Sequence, residues 1–459
     1  MSKTKSLEGR RVTVMGLGRF GGGVEVSKWL AEQGARVTIT DTATEDELAE
    51  SVEQVKDVAT LKLGGHDEND FVSTDLVVAN PAVPPTNEFL KLAASKNRRI
   101  TTEIGLLVER LPTKLTLGVT GTKGKSTTTT LLGKMLQGWQ PLPEEKKPPR
   151  TTRSNVIDLW KETERNVFVG GNLGGSLLPR LGEITEDDFV VLELSSFMLH
   201  HLGQQKWSPH VALVTMTDVD HVSWHGDVES YHFDKQNIVR HQSERDFAVL
   251  PSFNKIGKAF AEHTPATVIE YGKRANLPEA FAPSLPGKHN RLNERAAFAA
   301  AKLMGVYIDQ ALFHTLDFHG LPHRLELVHE HAGVQWINDS IATIPTAAKT
   351  ACDAFPAGKV LQIVGGSDKG LDNDEMCKAL ADRCKRVLCI GATGPMLASK
   401  IGSNAVECGT LERAVELAKR DAVDGDVVLL SPGYASYDQF KNFQERGERF
   451  AELARDDRG

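Results

Sequence analysis

The sequence predicts an α/β protein of three open, mostly parallel domains, and three observations carry that prediction. The chain has 459 residues, more than the roughly 250–300 at which one hydrophobic core stops growing. A strand–glycine–helix pattern restarts three times, as RRVTVMGLGRFGGGVEVSKWLAEQG from Arg10, KLTLGVTGTKGKSTTTTLLGKML from Lys114 and KVLQIVGGSDKG from Lys359. This is the signature of parallel α/β units. Between the restarts lie two loop-like joints, LPTK at 111–114 and HGLPHR at 319–324.

Composition narrows the class. A net charge of -7 leaves no basic footprint for nucleic acid. The basic start MSKTKSLEGRR runs straight into VTVMGLG with no apolar signal region, and no stretch is long and apolar enough to span a membrane. The five cysteines (Cys352, Cys377, Cys384, Cys389, Cys408) form no CxxC pair, and their odd number suits reduced, mostly buried thiols. A cytoplasmic enzyme is expected. Residues 138–153 (GWQPLPEEKKPPRTTR) are proline-rich, charged and aperiodic, and read as a surface loop or disordered insertion.

In the first restart Gly16, Gly18 and Gly21 form G-x-G-x-x-G, and Asp41 ends the next strand. Glycines there permit close backbone approach to a phosphate, and an acid at that distance takes hydroxyls. The residues alone leave NAD, FAD, another nucleotide or simple strand–helix packing open.

The second loop is more specific. In TGTKGKST, Gly121, Thr122, Lys123, Gly124, Lys125, Ser126 and Thr127 offer consecutive N–H groups to a β-phosphate. Lys125 is placed for the β/γ oxygens, and the Ser126 hydroxyl for Mg²⁺. This predicts ATP binding. Val119 occupies the position of the first glycine in the strict G-x-x-x-x-G-K-[ST] pattern. Two apolar strands should flank the loop: VVLELSSF, carrying Glu193, and VALVTMTDVDHVSWHGD, ending near Asp218, Asp220, His221 and His225. Carboxylates suit Mg²⁺ better than His221 does. On pattern alone Lys235 is an ordinary exposed helix lysine and Phe443 a core aromatic.

These segments, with GGNLG (170–174), GKHNRLN (287–293), GLPHRLE (320–326), WINDS (336–340), GGSDKG (365–370) and SPGYASYDQFKNFQERG (431–447), resemble the ATP-dependent Mur ligases over all three domains. The resemblance implies a Rossmann-like UDP-binding domain (1–112), a central P-loop ATPase-type domain (113–319) and a carboxy-terminal Rossmann-like, amino-acid-binding domain (320–459). It implies an ATP-dependent ligase joining D-glutamate to UDP-N-acetylmuramoyl-L-alanine through an acyl phosphate. The setting would be peptidoglycan precursor synthesis, which serves cell-wall biogenesis, shape and division.

The same resemblance assigns residues. Leu17, Gly18, Asp41, Thr42, Asn80 and Asn172 would meet the UDP-sugar. Asn290, Asn293, Arg324 and Asp339 would join the phosphate loop around ATP. Thr343, Lys369, Ser436 and Phe443 would hold the amino acid. Ser126 and Glu193 would bind one Mg²⁺; Glu193, His221 and a carbamylated Lys235 would bind a second. Lys125, His221 and Lys235 would be catalytic, and the protein a monomer.

Several positions depart from the family pattern. Ile341 stands where many relatives have a lysine, leaving Arg324, Lys369 or Lys125 to supply the charge. Met216 replaces an asparagine, Tyr434 a small residue, and Asn80 a serine. The alternatives are a sister ligase for another amino acid, a UDP-sugar- and ATP-binding regulator without turnover, and an NAD-dependent oxidoreductase.

Overall fold

The computed structural model describes residues 6–18, 22–141, 164–218, 220–272, 285, 288–318, 320–368 and 370–456. Gly21, Lys369 and positions 142–153 of the expected insertion lie outside the described residues.

Three sheets organise the chain. The first holds β1 (Arg11–Met15), β2 (Arg36–Asp41), β3 (Ala59–Leu63), β4 (Leu76–Ala79) and β5 (Arg99–Thr101), all parallel, in the order β3-β2-β1-β4-β5. The second holds β6 (Thr116–Thr120), β7 (Val167–Gly171), β8 (Phe189–Glu193), β9 (Val211–Val214), β10 (Phe247–Pro251) and β11 (Thr267–Tyr271). It too is wholly parallel, in the order β11-β10-β9-β6-β8-β7. The third holds β12 (Glu326–His331), β13 (Val334–Asn338), β14 (Val360–Gly365), β15 (Arg386–Ile390), β16 (Ala405–Gly409) and β17 (Val427–Leu430). Its order is β12-β13-β17-β14-β15-β16, with only the edge strand β12 antiparallel.

The strands that carry loops of interest are apolar runs, not alternating ones. β6, β8, β9 and β17 are buried at every residue. That is what a parallel sheet covered by helices on both faces requires. Side chains are thereby used up in the core, and chemistry is left to the strand ends.

The chain packs as two compact units, Met1–Pro278 with Leu292–Thr315, and Glu279–Arg291 with Leu316–Gly459. The first unit contains the first two sheets, and one apolar cluster runs through both, from Leu7 through Leu192 to Phe260, with a smaller one around Met15, Phe71 and Val77. Polar ties reinforce it: Gln205 Nε2 donates to Thr101 Oγ1 at 2.8 Å, and Ser176 Oγ to the half-buried Glu103 at 2.5 Å. The second unit is built around the third sheet. All five cysteines are free and four of them are buried, as the odd count and missing CxxC pairs suggested. No helix among the described residues is long and apolar enough to cross a membrane.

Candidate active site

In the second sheet β6 lies between β9 and β8. The loop leaving β6 is therefore flanked by the ends of both neighbours, the arrangement that makes a crevice in an open α/β sheet. Val119 is the fourth residue of β6, paired with Glu193 of β8 and fully buried. It belongs to the sheet, so no glycine is needed there. The freedom is needed later: Gly121 has φ +149, and a Cβ on it would meet Thr215 Oγ1 at 2.0 Å. Gly124, left-handed at φ 86, caps the helix Lys125–Gln137, whose first turn faces the loop.

The strand end after β9 closes the loop from the other side. Thr122 N and Lys123 N donate to the Met216 carbonyl at 2.8 and 3.1 Å. Thr215 Oγ1 donates to Thr120 O and Lys123 O. Met216 thus serves through its backbone, while its side chain is exposed, which explains why the side chain is free to vary. Thr122 Oγ1 bonds Asp218 O, Asp218 N and the Tyr231 hydroxyl. Ser126 is half-buried and Thr127 buried at the helix start.

Two lysines meet at one carbonyl. Lys125 Nζ donates to Gly121 O at 3.0 Å and to Thr122 O at 3.1 Å. Lys235 Nζ donates to the same Gly121 O at 2.9 Å. Lys235 is only 2% exposed, contrary to the exposed helix lysine that pattern alone suggests. The helix Val228–Arg240 turns this face inward, burying Tyr231, Asp234 and Lys235 together. Burial first, and then the charge of Lys125, bring the Lys235 pKa down to about 7.

Glu193 ends β8 at 1% exposure. Its Oε1 accepts from Asn172 Nδ2 at 2.7 Å, while its Oε2 is buried with no hydrogen-bond partner. An orphaned buried carboxylate oxygen beside a phosphate loop is the donor a hard cation takes. His221 differs: it is exposed and left-handed at φ 51, with its Nε2 3.3 Å from Asp220 Oδ2 and its ring centroid 4.8 Å from that of Phe197. Among the described residues no three His, Cys, Asp or Glu side chains gather as a metal site. A cation here would take part of its shell from hydroxyl, phosphate, carbamate or water.

At the first sheet, β1 and β4 are neighbours where the strand order reverses. Asp41 Oδ2 accepts the N–H groups of Leu17 (2.8 Å) and Gly18 (3.1 Å), and its Oδ1 that of Ala43. Leu17 buries its side chain, so it offers backbone only; Thr42 is exposed. Asn80 Oδ1 accepts from Ala82 N at 3.0 Å, the local turn bond that serine also makes.

In the third sheet the ends of β13, β17 and β14 are adjacent. Asp339 is buried, accepting from Ser431 Oγ at 2.6 Å and Leu325 N at 3.2 Å; burial pushes its pKa up to about 7, against nearby Arg324. Ser436 is buried, Thr343 and Phe443 half-buried, and Ile341 N donates to His323 O. Tyr434 is buried with its hydroxyl accepting from Asn373 Nδ2. Asn290 and Asn293 are buried three positions apart on the helix Lys288–Leu303, hence on one face.

Two groups escaped sequence reasoning. Arg446 is buried, donating through Nε to Ser340 Oγ and through Nη2 to Ser340 O and Tyr434 O. A charge sits, therefore, against the very turn that has Ile341 in place of lysine. Asp234 is likewise buried beside Lys235. An arginine in a helix pattern, or an aspartate before a lysine, looks like solvated surface; nothing in their spacing distinguishes them.

Comparison with known proteins agrees across the chain. Three family models match: the Mur ligase MurD-like N-terminal domain at 10–102, the Mur ligase middle domain at 119–282, and the Mur ligase glutamate ligase domain at 323–433. The UDP-N-acetylmuramoylalanine--D-glutamate ligase of Roseiflexus sp. (strain RS-1) is 37% identical over 97% of this chain and 98% of its own. That of Anaeromyxobacter dehalogenans (strain 2CP-C) is 36% identical over 98% of each. Among solved structures, the MurF ligase from Thermotoga maritima in complex with ADP shares the fold at TM-score 0.57 and 17% identity, over 99% of this chain and 98% of that one.

Proposed function

We propose that this chain, which belongs to the Mur ligase family, joins D-glutamate to UDP-N-acetylmuramoyl-L-alanine with ATP as the driving co-substrate in peptidoglycan precursor synthesis. The observation that carries this is full-length likeness to ligases of that name at 31–37% identity, together with a phosphate loop flanked by two polar strand ends.

The substrate carboxylate attacks the γ-phosphorus of ATP, giving an acyl phosphate and ADP. The D-glutamate amine then attacks the acyl carbon, and phosphate leaves as the amide forms. The protein's work is positioning and neutralisation. The loop from Gly121 to Thr127 holds the β-phosphate through the backbone N–H groups that remain besides those of Thr122 and Lys123, which are taken by Met216 O, and Lys125 reaches the γ-phosphate. Asn290, Asn293, Arg324 and Asp339 hold the rest of the nucleotide. Leu17, Gly18, Asp41, Thr42, Asn80 and Asn172 take the UDP-sugar, with a diphosphate competing with Asp41 for the Leu17 and Gly18 amides. Thr343, Lys369, Ser436 and Phe443 take D-glutamate, Lys369 pairing its side-chain carboxylate. The enzyme works as a monomer.

The residues fit the divalent cations the family implies. The unpartnered Glu193 Oε2 and the Ser126 hydroxyl suit one Mg²⁺, and Glu193, His221 and carbamylated Lys235 a second. When bound, these ions supply positive charge to the phosphoryl oxygens. Lys235, with a pKa near 7, is substantially the free amine at neutral pH, the form that adds CO₂. His221 helps position the incoming amine, whose proton leaves to solvent or with the departing phosphate.

The test is a panel of amino acids in an ATP-dependent phosphate-release assay with UDP-N-acetylmuramoyl-L-alanine. D-Glutamate is expected to stimulate release alone. Stimulation by L-alanine or a diamino acid instead would refute the assignment.

A further inference from the structure

We propose that Asp234 is a positioning residue that ties together the segments bearing Glu193, His221 and Lys235, and so sets how tightly the site takes its divalent cation. The inference rests on reading those three side chains as metal ligands.

Asp234 is buried on the helix Val228–Arg240, one residue before Lys235. Two histidines share its carboxylate: His200 Nδ1 on Oδ1 at 3.0 Å and His225 Nδ1 on Oδ2 at 2.8 Å. His225, its side chain wholly buried, carries the connection onward. Its Nε2 lies 3.0 Å from Ser196 Oγ, and its ring stacks on Phe197 at 5.6 Å and 14°.

Each partner belongs to a different piece of the site. Ser196 opens the helix Ser196–Gln204, three residues after Glu193. His225 ends the short helix Val222–His225, whose N-cap is His221. The third piece is Asp234's own helix, with Lys235. One buried carboxylate thus pins three backbones that are distant in sequence. With the carboxylate accepting from Nδ1–H, the network assigns His225 the tautomer whose bare Nε2 accepts the Ser196 hydroxyl. Asp–His–Ser order also occurs in hydrolases. Here Ser196 is 2% exposed, so the chain of bonds is a tie and not a nucleophile.

Groups hydrogen-bonded directly to metal ligands typically change metal affinity about 10–100-fold when removed, and Asp234 acts one step further out, through the segments that carry the ligands. The test is Mg²⁺ titration of Asp234→Asn and His225→Gln, read by phosphate release and, separately, by calorimetric binding of ADP at varied Mg²⁺ without the other substrates. In both variants the half-saturating Mg²⁺ is expected to rise severalfold, up to about tenfold, while the D-glutamate KM stays within about twofold. His200→Ala breaks only the outer branch and should shift Mg²⁺ dependence less. If Asp234→Asn does not fold, His225→Gln carries the test. Unchanged Mg²⁺ dependence with a merely lowered Tm would overturn the inference. Glu193→Gln separates the two readings. If it raises the Mg²⁺ requirement and Asp234→Asn does not, only the positioning role fails; if it changes nothing, the metal reading fails as well.

Discussion

Lys235 Nζ donates to the Gly121 carbonyl at 2.9 Å, so a lysine from a helix more than a hundred residues away completes the first turn of the phosphate loop. Lys125 uses the same carbonyl. Two ammonium groups so close repel each other, and burial of Lys235 adds to the cost of its charge. The arrangement favours a Lys235 that has lost its charge, either as free amine or as carbamate.

With ¹³C-bicarbonate, the protein should therefore show a carbamate carbon resonance that Lys235→Ala lacks. The signal should weaken as pH falls below about 7, because protonated amine does not add CO₂. An identical spectrum for both proteins would rule the modification out.

Gly121→Ala should abolish ATP binding. A Cβ there would meet Thr215 Oγ1 at 2.0 Å and Met216 O at 3.0 Å, at a φ that other residues rarely adopt. The loop must shift away from the β9 end. Calorimetry should find ATP binding lost and UDP-sugar binding, at the first sheet, retained; retained ATP binding would contradict the loop geometry.

His201 gives the fold a pH dependence. Burial lowers its pKa from 6.5 to about 4, and its Nε2 has no partner. A depressed folded pKa means stability present above 6.5 and lost as pH falls from there towards 4, on the order of 3 kcal/mol in all. His201→Gln should flatten this slope in urea unfolding between those pH values. An unchanged slope would show that His201 is not its source.

Arg446 holds Ser340 and Tyr434 through three hydrogen bonds, with burial bringing its pKa down to about 10. Arg446→Ala leaves those buried acceptors unmet and should cost roughly 2–4 kcal/mol. Arg446→Lys should not restore it, since an ammonium lacks the planar fork. The D-glutamate KM should rise in both, because the same turns carry Ser436 and Phe443. Wild-type stability in Arg446→Lys would count against the fork.

The phosphate loop and its two polar neighbours were legible because glycine freedom, apolar strands and terminal acids are local patterns. Glu193 was found that way. Lys235 was legible only by family resemblance, since its partner, the Gly121 carbonyl, lies 114 residues away. Asp234 and Arg446 were missed because what they hold lies on other segments, His200 being 34 residues from Asp234 and Ser340 106 from Arg446. Met216 seemed a loss because side chains are visible in a sequence and carbonyl roles are not.

The proposed reaction forms the amide through an acyl phosphate on the sugar-nucleotide carboxylate. UDP-N-acetylmuramoyl-L-alanine labelled with ¹⁸O in that carboxylate, turned over with ATP and D-glutamate, tests it most directly. One labelled oxygen should appear in the inorganic phosphate released, in step with amide product. Amide product accompanied by unlabelled phosphate would contradict it.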